Sequence, residues 1–550
     1  MVSPSGGGVS GSLEDVARLP DLLHGRPHTG PVRERRPLYV DLLPPCNAGC
    51  PAGENIQAWL SHAKDGRYEE AWRQLVADNP FPAIHGRVCY HPCESVCNRA
   101  SLDSAVSIHS VERFLGDLAL EQGWAFDAPP ARSGRRVLVI GAGPSGLSAA
   151  YHLARLGHEV EIRDAGEQAG GMMRYGIPAY RLPRDVLAGE LERIEAMGVR
   201  VTREHRVDDL VAEREEGRFD AVFAAVGAHL SKRVDIPAPD AGKIIDAVSF
   251  LRSVASGERP VIGRRVAVYG GGNTAMDAAR TARRMGAEPL IVYRRTREQM
   301  PAHEEEAEDA ETEGVEIHWL RTISTFQGPE LEVEVMELDE TGYPQPTGRY
   351  ETLAADTVIL ALGQKSETEF LRSVPGVEIA RDGTVQVSPA METGCPGLFA
   401  GGDMVPSEMT VTVGVGHGKK AARNIDAWLR GNSAAASKHD LASFDKLHLW
   451  YFGDNARREQ PELPLEERLS DFGEVVGGLS AAQAVYEAGR CLSCGNCFEC
   501  DGCLGACPED AVIKLGPGHR YRFDYDKCTG CGVCFDQCPV HAIEMIPEPR

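Results

Sequence analysis

Ten of the sixteen cysteines fall between Cys491 and Cys538. Cys497, Cys500, Cys503 and Cys507-Pro508 read C-x2-C-x2-C-x3-C-P, and Cys528, Cys531, Cys534 and Cys538-Pro539 repeat the spacing. Thiolates so spaced hold 4Fe–4S clusters, three from one run and the fourth from the other. One cluster would take Cys497, Cys500, Cys503 and Cys538. The second would take Cys528, Cys531, Cys534 and Cys507. C-x2-C pairs also suit tetrahedral zinc, but the doubled run with trailing prolines fits iron–sulfur ligation much better. Such clusters move single electrons, so the remaining chain should hold what feeds or drains them.

Two glycine turns supply a second kind of chemistry. Arg135–Ile140 is an apolar strand running into G-A-G-P-S-G, with Gly141, Gly143, Pro144, Ser145 and Gly146, then a helix and a second strand ending at Asp164. The glycines permit a tight turn and close approach to a pyrophosphate, the helix N-terminus faces its charge, and the acid bonds ribose hydroxyls. A second copy follows: strand Arg265–Tyr269, then Gly270, Gly272, Asn273, Thr274 and Ala275, then a helix through Arg284. Its next strand ends in Arg294-Arg295 rather than an acid, which suits the 2′-phosphate of NADP. NAD remains the alternative, with the arginines a solvated basic turn. Glu304–Glu306 reads as a solvated face.

The elements that position these motifs imply several domains, since 550 residues exceed a single core. The two dinucleotide folds nest, the second inside the first. A-A-D-T-V-I-L-A-L-G, ending at Gly363, and G-L-F-A-G-G-D, with Gly402 and Asp403, read as the closing part of the first fold. A helix from Gly416 to Leu429 would present its N-terminus to the first cofactor. No C-x2-C or C-x4-C redox pair accompanies the first glycine turn, and lone Cys395 reads as a small buried apolar residue. The expected architecture is multidomain α/β. It comprises a flexible arm at 1–40, a helical iron–sulfur domain at 41–130, an FAD domain at 131–240 and 361–435, and an NADP domain at 241–360. A connector at 436–490 leads to a ferredoxin-like α+β domain at 491–550. Net charge is −23, which disfavours nucleic acid and anionic membrane. No apolar run reaches a membrane span. The first residues lack the pattern of a signal peptide, and clustered cysteines without an export signal point to metal in a reducing cytoplasm.

Five further cysteines lie near the N-terminus: Cys46, Cys50, Cys89, Cys93 and Cys97. Two short helices are expected between Glu54 and Ala77, and another, Ile108–Leu120, carries Glu112. From Pro45 to Leu120 the chain resembles the N-terminal iron–sulfur domain of the glutamate synthase small subunit and of dihydropyrimidine dehydrogenase. Residues 41–430 as a whole resemble that small-subunit family, with Gly170-Gly171, G-I-P at 176–178 and Y-R-R-T-R-E-Q-M-P at 293–301 adding to the match. The resemblance implies FAD at the first glycine turn and NADPH at the second. It also implies a cluster on Cys50, Cys89, Cys93 and Glu112. A second N-terminal cluster would use Cys46 and Cys97 with a leading C-x2-C pair that is missing from its usual place. The family phrase that carries that pair, E-A-x-R-C-L-x-C, occurs instead at Glu487–Cys494. Cys491 and Cys494 are therefore expected to fold back and complete the cluster. The alternatives are free thiols, or a shifted register of iron binding.

The resemblance implies an NAD(P)H:acceptor oxidoreductase that passes electrons between NADP(H), FAD and four 4Fe–4S clusters, or three if Cys491 and Cys494 are not ligands. No general base or catalytic triad is nominated. The expected partner is a catalytic redox enzyme of the 2-oxoacid:ferredoxin oxidoreductase type, or ferredoxin, in a hetero-oligomeric complex. The alternative is the small subunit of NADPH-dependent glutamate synthase, which usually lacks the C-terminal clusters. A self-contained reductase like dihydropyrimidine dehydrogenase would need a further FMN domain, and a zinc scaffold would leave the glycine turns unexplained.

Overall fold

The computed structural model describes residues 33–128, 131–232, 236–237, 243–433 and 439–549. They divide into two compact units. The larger comprises Pro45–Lys438 with Asp454–Cys491, and the smaller comprises residues up to Pro44, His439–Gly453 and Leu492 onward. The expected connector is thus shared between them. Among the described residues no helix is long and apolar enough to cross a membrane.

The larger unit opens with helices. Ile56–Lys64 and Tyr68–Val76 place Ile56, Trp59, Leu60, Ala63, Ala71, Trp72 and Leu75 on buried faces, the spacing that makes an amphipathic helix stable. Helices Pro82–Val88 and Ile108–Gln122 cross so closely that only glycine fits. A Cβ on Gly116 would lie 2.2 Å from the Ala83 nitrogen, and one on Gly86 would lie 2.3 Å from the Arg113 Cβ. Gly116→Ala is expected to force the crossing apart and cost about 1–3 kcal/mol. A lowered melting temperature checks this, and an unchanged melt would mean that the two helices slide freely. Helix Ala481–Gly489 belongs here too. A capping box of Ser480 and Gln483 starts it, and Ala484 and Ala488 join the core built on Trp59 and Trp72.

Two five-stranded parallel sheets follow. The first runs Leu398–Ala400, Ala221–Ala224, Arg136–Ile140, Glu159–Arg163, Arg200–Thr202. Its central strands read V-L-V-I and A-V-F-A because both faces are covered. The second sheet runs Glu316–Trp319, Glu288–Tyr293, Arg265–Tyr269, Thr357–Leu360, Lys243–Asp246. Strand Thr357–Leu360 corrects the expectation that A-A-D-T-V-I-L-A-L-G closes the first fold. It pairs parallel with Val266–Tyr269 and Lys243–Asp246, inside the second sheet. A doubly buried V-I-L run packs equally well in either sheet, so composition cannot assign it. A three-stranded antiparallel sheet, Arg321–Gln327, Glu330–Leu338 and Pro344–Ala354, adjoins the second sheet through the Phe326, Leu331 and Val333 core.

In the smaller unit, Val512–Ile513 pairs with Arg522–Phe523, and Ile543–Pro547 pairs antiparallel with Arg35–Tyr39. Residues 35–39, expected within a flexible arm, are thus a strand; residues 1–32 of that arm lie outside the described residues. The pairing buries Pro37, and the Tyr39 ring stacks on Phe523 at 4.7 Å.

Candidate functional site

A cavity of about 440 Å³ opens in the larger unit where the two dinucleotide folds meet. The first glycine turn forms one wall, with Gly141, Gly143, Pro144 and Ser145 at the start of the twelve-residue helix Pro144–Arg155. A Cβ on Gly143 would point into open space, whereas one on Gly171 would strike Gly143 at 2.8 Å. Ser145 Oγ is buried there with no partner among the described residues, the mark of a polar group waiting for a ligand. Asp164 also lines the cavity, its carboxylate accepting from Ala142 N at 2.6 Å and Gly166 N at 2.7 Å. Gly402, against Ser145, and Asp403 line the cavity too; burial pushes the Asp403 carboxyl up to about 6. Gly402 N donates to His417 Nδ1 at 3.1 Å. The helix expected from Gly416 begins five residues earlier, as Val411–Leu429, with the Thr410 side chain capping Val413 N. Val411 and Gly414 of its first turn therefore reach the cavity, and the small residues V-T-V-G-V-G disguise that turn. An open glycine cradle, an orphaned hydroxyl, two helix N-termini and two carboxylates fit a dinucleotide flavin.

A model of pyridine nucleotide-disulphide oxidoreductases matches residues 135–418, just over half of the chain. The chain belongs to this family. Two further models match this oxidoreductase: dihydropyrimidine dehydrogenase domain II, 4Fe-4S cluster, at residues 40–124, and a 4Fe-4S binding domain at 521–544. The chain is 38% identical over 498 residues to the NADP(+)-dependent formate dehydrogenase subunit beta of Moorella thermoacetica, covering 82% of this chain and 70% of that relative. It is 33% identical to the NADPH-Fe(3+) oxidoreductase subunit beta of Geobacter sulfurreducens, covering 82% and 75%. It is 34% identical to the glutamate synthase [NADPH] small chain of Azospirillum brasilense, covering 72% and 88%. The oxidoreductase is NAD(P)H-dependent, with a flavin domain and 4Fe–4S domains at both ends.

The second glycine turn enters the same cavity. Asn273, Thr274 and Asp277 of helix Asn273–Arg284 line it, and Gln364 Nε2 donates to Thr274 Oγ1 at 3.1 Å. Gln364, not the expected Gly363, reaches the cavity wall. Gly146, Gly270 and Ala275 act in packing. A Cβ on Gly146 would lie 1.9 Å from Gly141 O, one on Gly270 would lie 2.2 Å from Ala361 O, and Ala275 is buried. Gly272 faces open space. Arg294 and Arg295 follow strand Glu288–Tyr293 outside the cavity lining, with Arg294 exposed over the Tyr343 ring at 5.9 Å. Cys395 is half-buried against the core of the first fold.

The expectation that Glu304–Glu306 is solvated fails at Glu306, which is 5% exposed. Its carboxylate pairs with Arg181, which also bonds both Asp277 oxygens at 3.0 Å. Tyr90 Oη donates to it at 3.5 Å, and burial pushes its carboxyl up. Arg280 pairs with it at 3.6 Å as well, so three cation-bearing or aromatic residues converge on one member of an acidic run, and their positions in the chain give no hint of it. Arg181 and Tyr90 line the cavity as well.

A second, small cavity lies among the N-terminal helices. Cys50, Cys89, Cys93 and Glu112 line it together, with Glu54 and His85. Burial pushes all three thiols up, Cys89 to about 12, so free thiolates are disfavoured there and a bound iron cluster would supply the missing positive charge. Glu112 is 5% exposed rather than solvated. Asn79 Nδ2 donates to Glu112 Oε1 at 2.8 Å and to Glu54 Oε1 at 2.9 Å, while Trp59 Nε1 donates to Glu54 Oε2 at 3.3 Å. Glu54 and His85 escape the sequence because neither sits in a ligand-spaced motif. Cys46, Cys97 and Cys491 are half-buried against the same helical core.

In the smaller unit, Cys507 lines a small cavity with Cys528, Cys531 and Cys534, the crossed set. Burial, and then the charges of Cys497, Cys500 and Cys538, push the Cys503 thiol up. Backbone N–H groups point at three sulfurs: Ala511 N at Cys507 (3.3 Å), Gly530 N at Cys528 (3.4 Å) and Ala542 N at Cys538 (3.2 Å). Such donors stabilise thiolate charge and tune cluster potential. Cys494 packs with the core of this unit.

Proposed function

We propose that the chain is the electron-transfer subunit of a hetero-oligomeric redox enzyme. It passes electrons between NADP(H) and a catalytic partner through FAD and four 4Fe–4S clusters. The partner is a 2-oxoacid:ferredoxin oxidoreductase-type enzyme, or ferredoxin. The observation that carries this reading is the peptide Val88–Cys89–Tyr90. Cys89 faces the small cavity with Cys50, Cys93 and Glu112, while Val88 and Tyr90 line the dinucleotide cavity. Cys89 is extended (φ −74°, ψ 136°), and extended backbone turns successive side chains to opposite sides. One peptide is thus the common wall of both sites.

FAD, when bound, accepts a two-electron hydride and releases electrons singly, which is what coupling a nicotinamide to iron–sulfur clusters requires. The chain's own residues supply geometry. Gly143 and Gly171 leave room for the pyrophosphate, the two helix N-termini face its charge, and Asp164 offers the ribose an acceptor. The Arg181–Asp277 pair joins the nicotinamide-fold helix Asn273–Arg284 to the flavin-fold segment. Arg294-Arg295 at the end of strand Glu288–Tyr293 favours a 2′-phosphate. The beta-subunit names of the Moorella and Geobacter relatives support assembly with other chains.

The test is anaerobic. The iron- and flavin-loaded chain should reduce methyl viologen with NADPH and with no organic substrate present, and NADPH should elicit the spectra of reduced clusters. Flavin bleaching by NADPH without cluster reduction or dye reduction would break the proposed route. NADPH oxidation that runs only with a glutamate synthase large chain and glutamine would favour the alternative of a glutamate synthase small subunit.

A further inference from the structure

The smaller unit carries an aromatic surface that its candidate clusters do not account for. The short helical turn Leu449–Tyr451 leaves Trp450 66% and Tyr451 43% exposed, whereas indole and phenol rings ordinarily lose most of their area on folding. Trp450 is held outward: its Nε1 donates to His448 Nδ1 at 3.3 Å, and the ring stands edge-on to Tyr451 at 6.2 Å. Tyr451 in turn stands edge-on to Phe498 at 6.0 Å, and Phe498 sits in sequence between Cys497 and Cys500. The surroundings are acidic. Between residues 492 and 549 there are nine carboxylates against four lysines and arginines, and segment 439–453 adds Asp440 and Asp445 against Lys446.

We infer that Trp450 and Tyr451 form the docking surface for a basic one-electron redox protein, which exchanges electrons with the cluster of Cys497, Cys500, Cys503 and Cys538. The inference rests on the proposed electron-transfer role. The acidic field attracts a basic partner and speeds encounter, and exposed Trp and Tyr are the residue types that anchor interfaces. One electron leaves a reduced cluster, one oxidised centre on the partner gains it, no covalent bond changes and no proton is required. Cys531, the exposed cysteine of the other crossed set, marks the rival exit.

Oxidised cytochrome c serves as the basic one-electron probe, with the full iron- and flavin-loaded chain. The double substitution Trp450→Ala and Tyr451→Ala should lower kcat/KM for NADPH-driven cytochrome c reduction by about tenfold or more. NADPH–viologen reduction and iron content should hold. Salt should slow cytochrome c reduction by parent and variant alike, because the carboxylates that attract the partner remain in both. Hydroxyl-radical footprinting gives a readout free of turnover: Trp450 should be oxidised in the free chain and protected when cytochrome c is added. That footprint reads docking even if viologen reduction fails, which separates this inference from the electron-transfer role. Unchanged cytochrome c kinetics in the double variant would place the exit elsewhere, as at Cys531. Protection of Trp450 in the free chain would mean that the chain itself covers the patch, and either outcome overturns the inference. The single substitution Trp450→Ser, on the more exposed ring, repeats the test with less disturbance of the fold.

Discussion

Cys89→Ser should remove about four iron atoms per chain, from about sixteen to about twelve, and should all but abolish NADPH-driven viologen reduction. Bleaching of the flavin by NADPH should survive. The asymmetry follows from the shared wall. The Cys89 sulfur faces the small cavity with Cys50, Cys93 and Glu112, so its loss leaves three donors around a cluster that needs four. Serine keeps the volume but is not a thiolate, and in a pocket that already pushes the Cys89 thiol up to about 12 by burial an alkoxide is less favourable still. Val88 and Tyr90, which face the dinucleotide cavity, are untouched. Iron analysis and stopped-flow absorbance check the two halves separately. Full iron with normal dye reduction would show that electrons leave the flavin cavity by another wall. Val88→Ala is the matched control: it alters the same peptide on the cavity side and should leave iron in place.

The chemistry of this chain was legible wherever it is local. Cysteine spacing predicts the crossed sets of the smaller unit because each run is a short continuous segment and both fold into one small core. The glycine turns were legible for the same reason, since strand, turn and helix N-terminus are consecutive. What was not legible is set by long-range packing. Glu54 and His85 reach the small cavity only because helix Pro82–Val88 packs across helix Ile108–Gln122 and Asn79 ties both residues to Glu112. Glu306 sits in a run of acids that looks solvated, yet Arg181, Tyr90 and Arg280 bury it from distant parts of the chain. Strand Thr357–Leu360 carries an apolar run that either sheet would accept. Arg35–Tyr39 looks like part of a polar arm because its partner strand lies some five hundred residues away.

The phrase E-A-G-R-C-L-S-C lies between these extremes, and its conformation points to the second large effect. Arg490→Ala should release Cys491 from the helical core and cost about 3–5 kcal/mol. Arg490 is 2% exposed. Its guanidinium donates to Asp103 Oδ1 at 3.0 Å, Ser104 O at 2.7 Å, Ala105 O at 3.0 Å and Asn455 O at 3.1 Å, and pairs with Glu487 at 2.9 Å. Glu487, fully buried, also accepts from Ser107 N at 3.0 Å and Arg458 N at 2.5 Å. The two charged residues of the phrase thus clasp loop 103–107 just before helix Ile108–Gln122, and Cys491 follows directly. Arg99 Nη1 donates to Arg490 O at 2.7 Å and fixes the next peptide. Alanine would leave the Glu487 carboxylate buried with only its two amide donors, together with three orphaned loop carbonyls, which is why the cost exceeds that of a surface pair. Arg490→Lys should recover little, since an ammonium cannot span the fork of acceptors. If Cys491 is a ligand together with Cys46 and Cys97, about four iron atoms should leave with the clasp. Cys491→Ser should remove the same iron with a far smaller change in melting temperature. Thermal melting and iron analysis on both variants separate the outcomes. Iron retained in Cys491→Ser would remove Cys491 from the ligand set, and an Arg490→Ala chain that melts like its parent would remove the clasp.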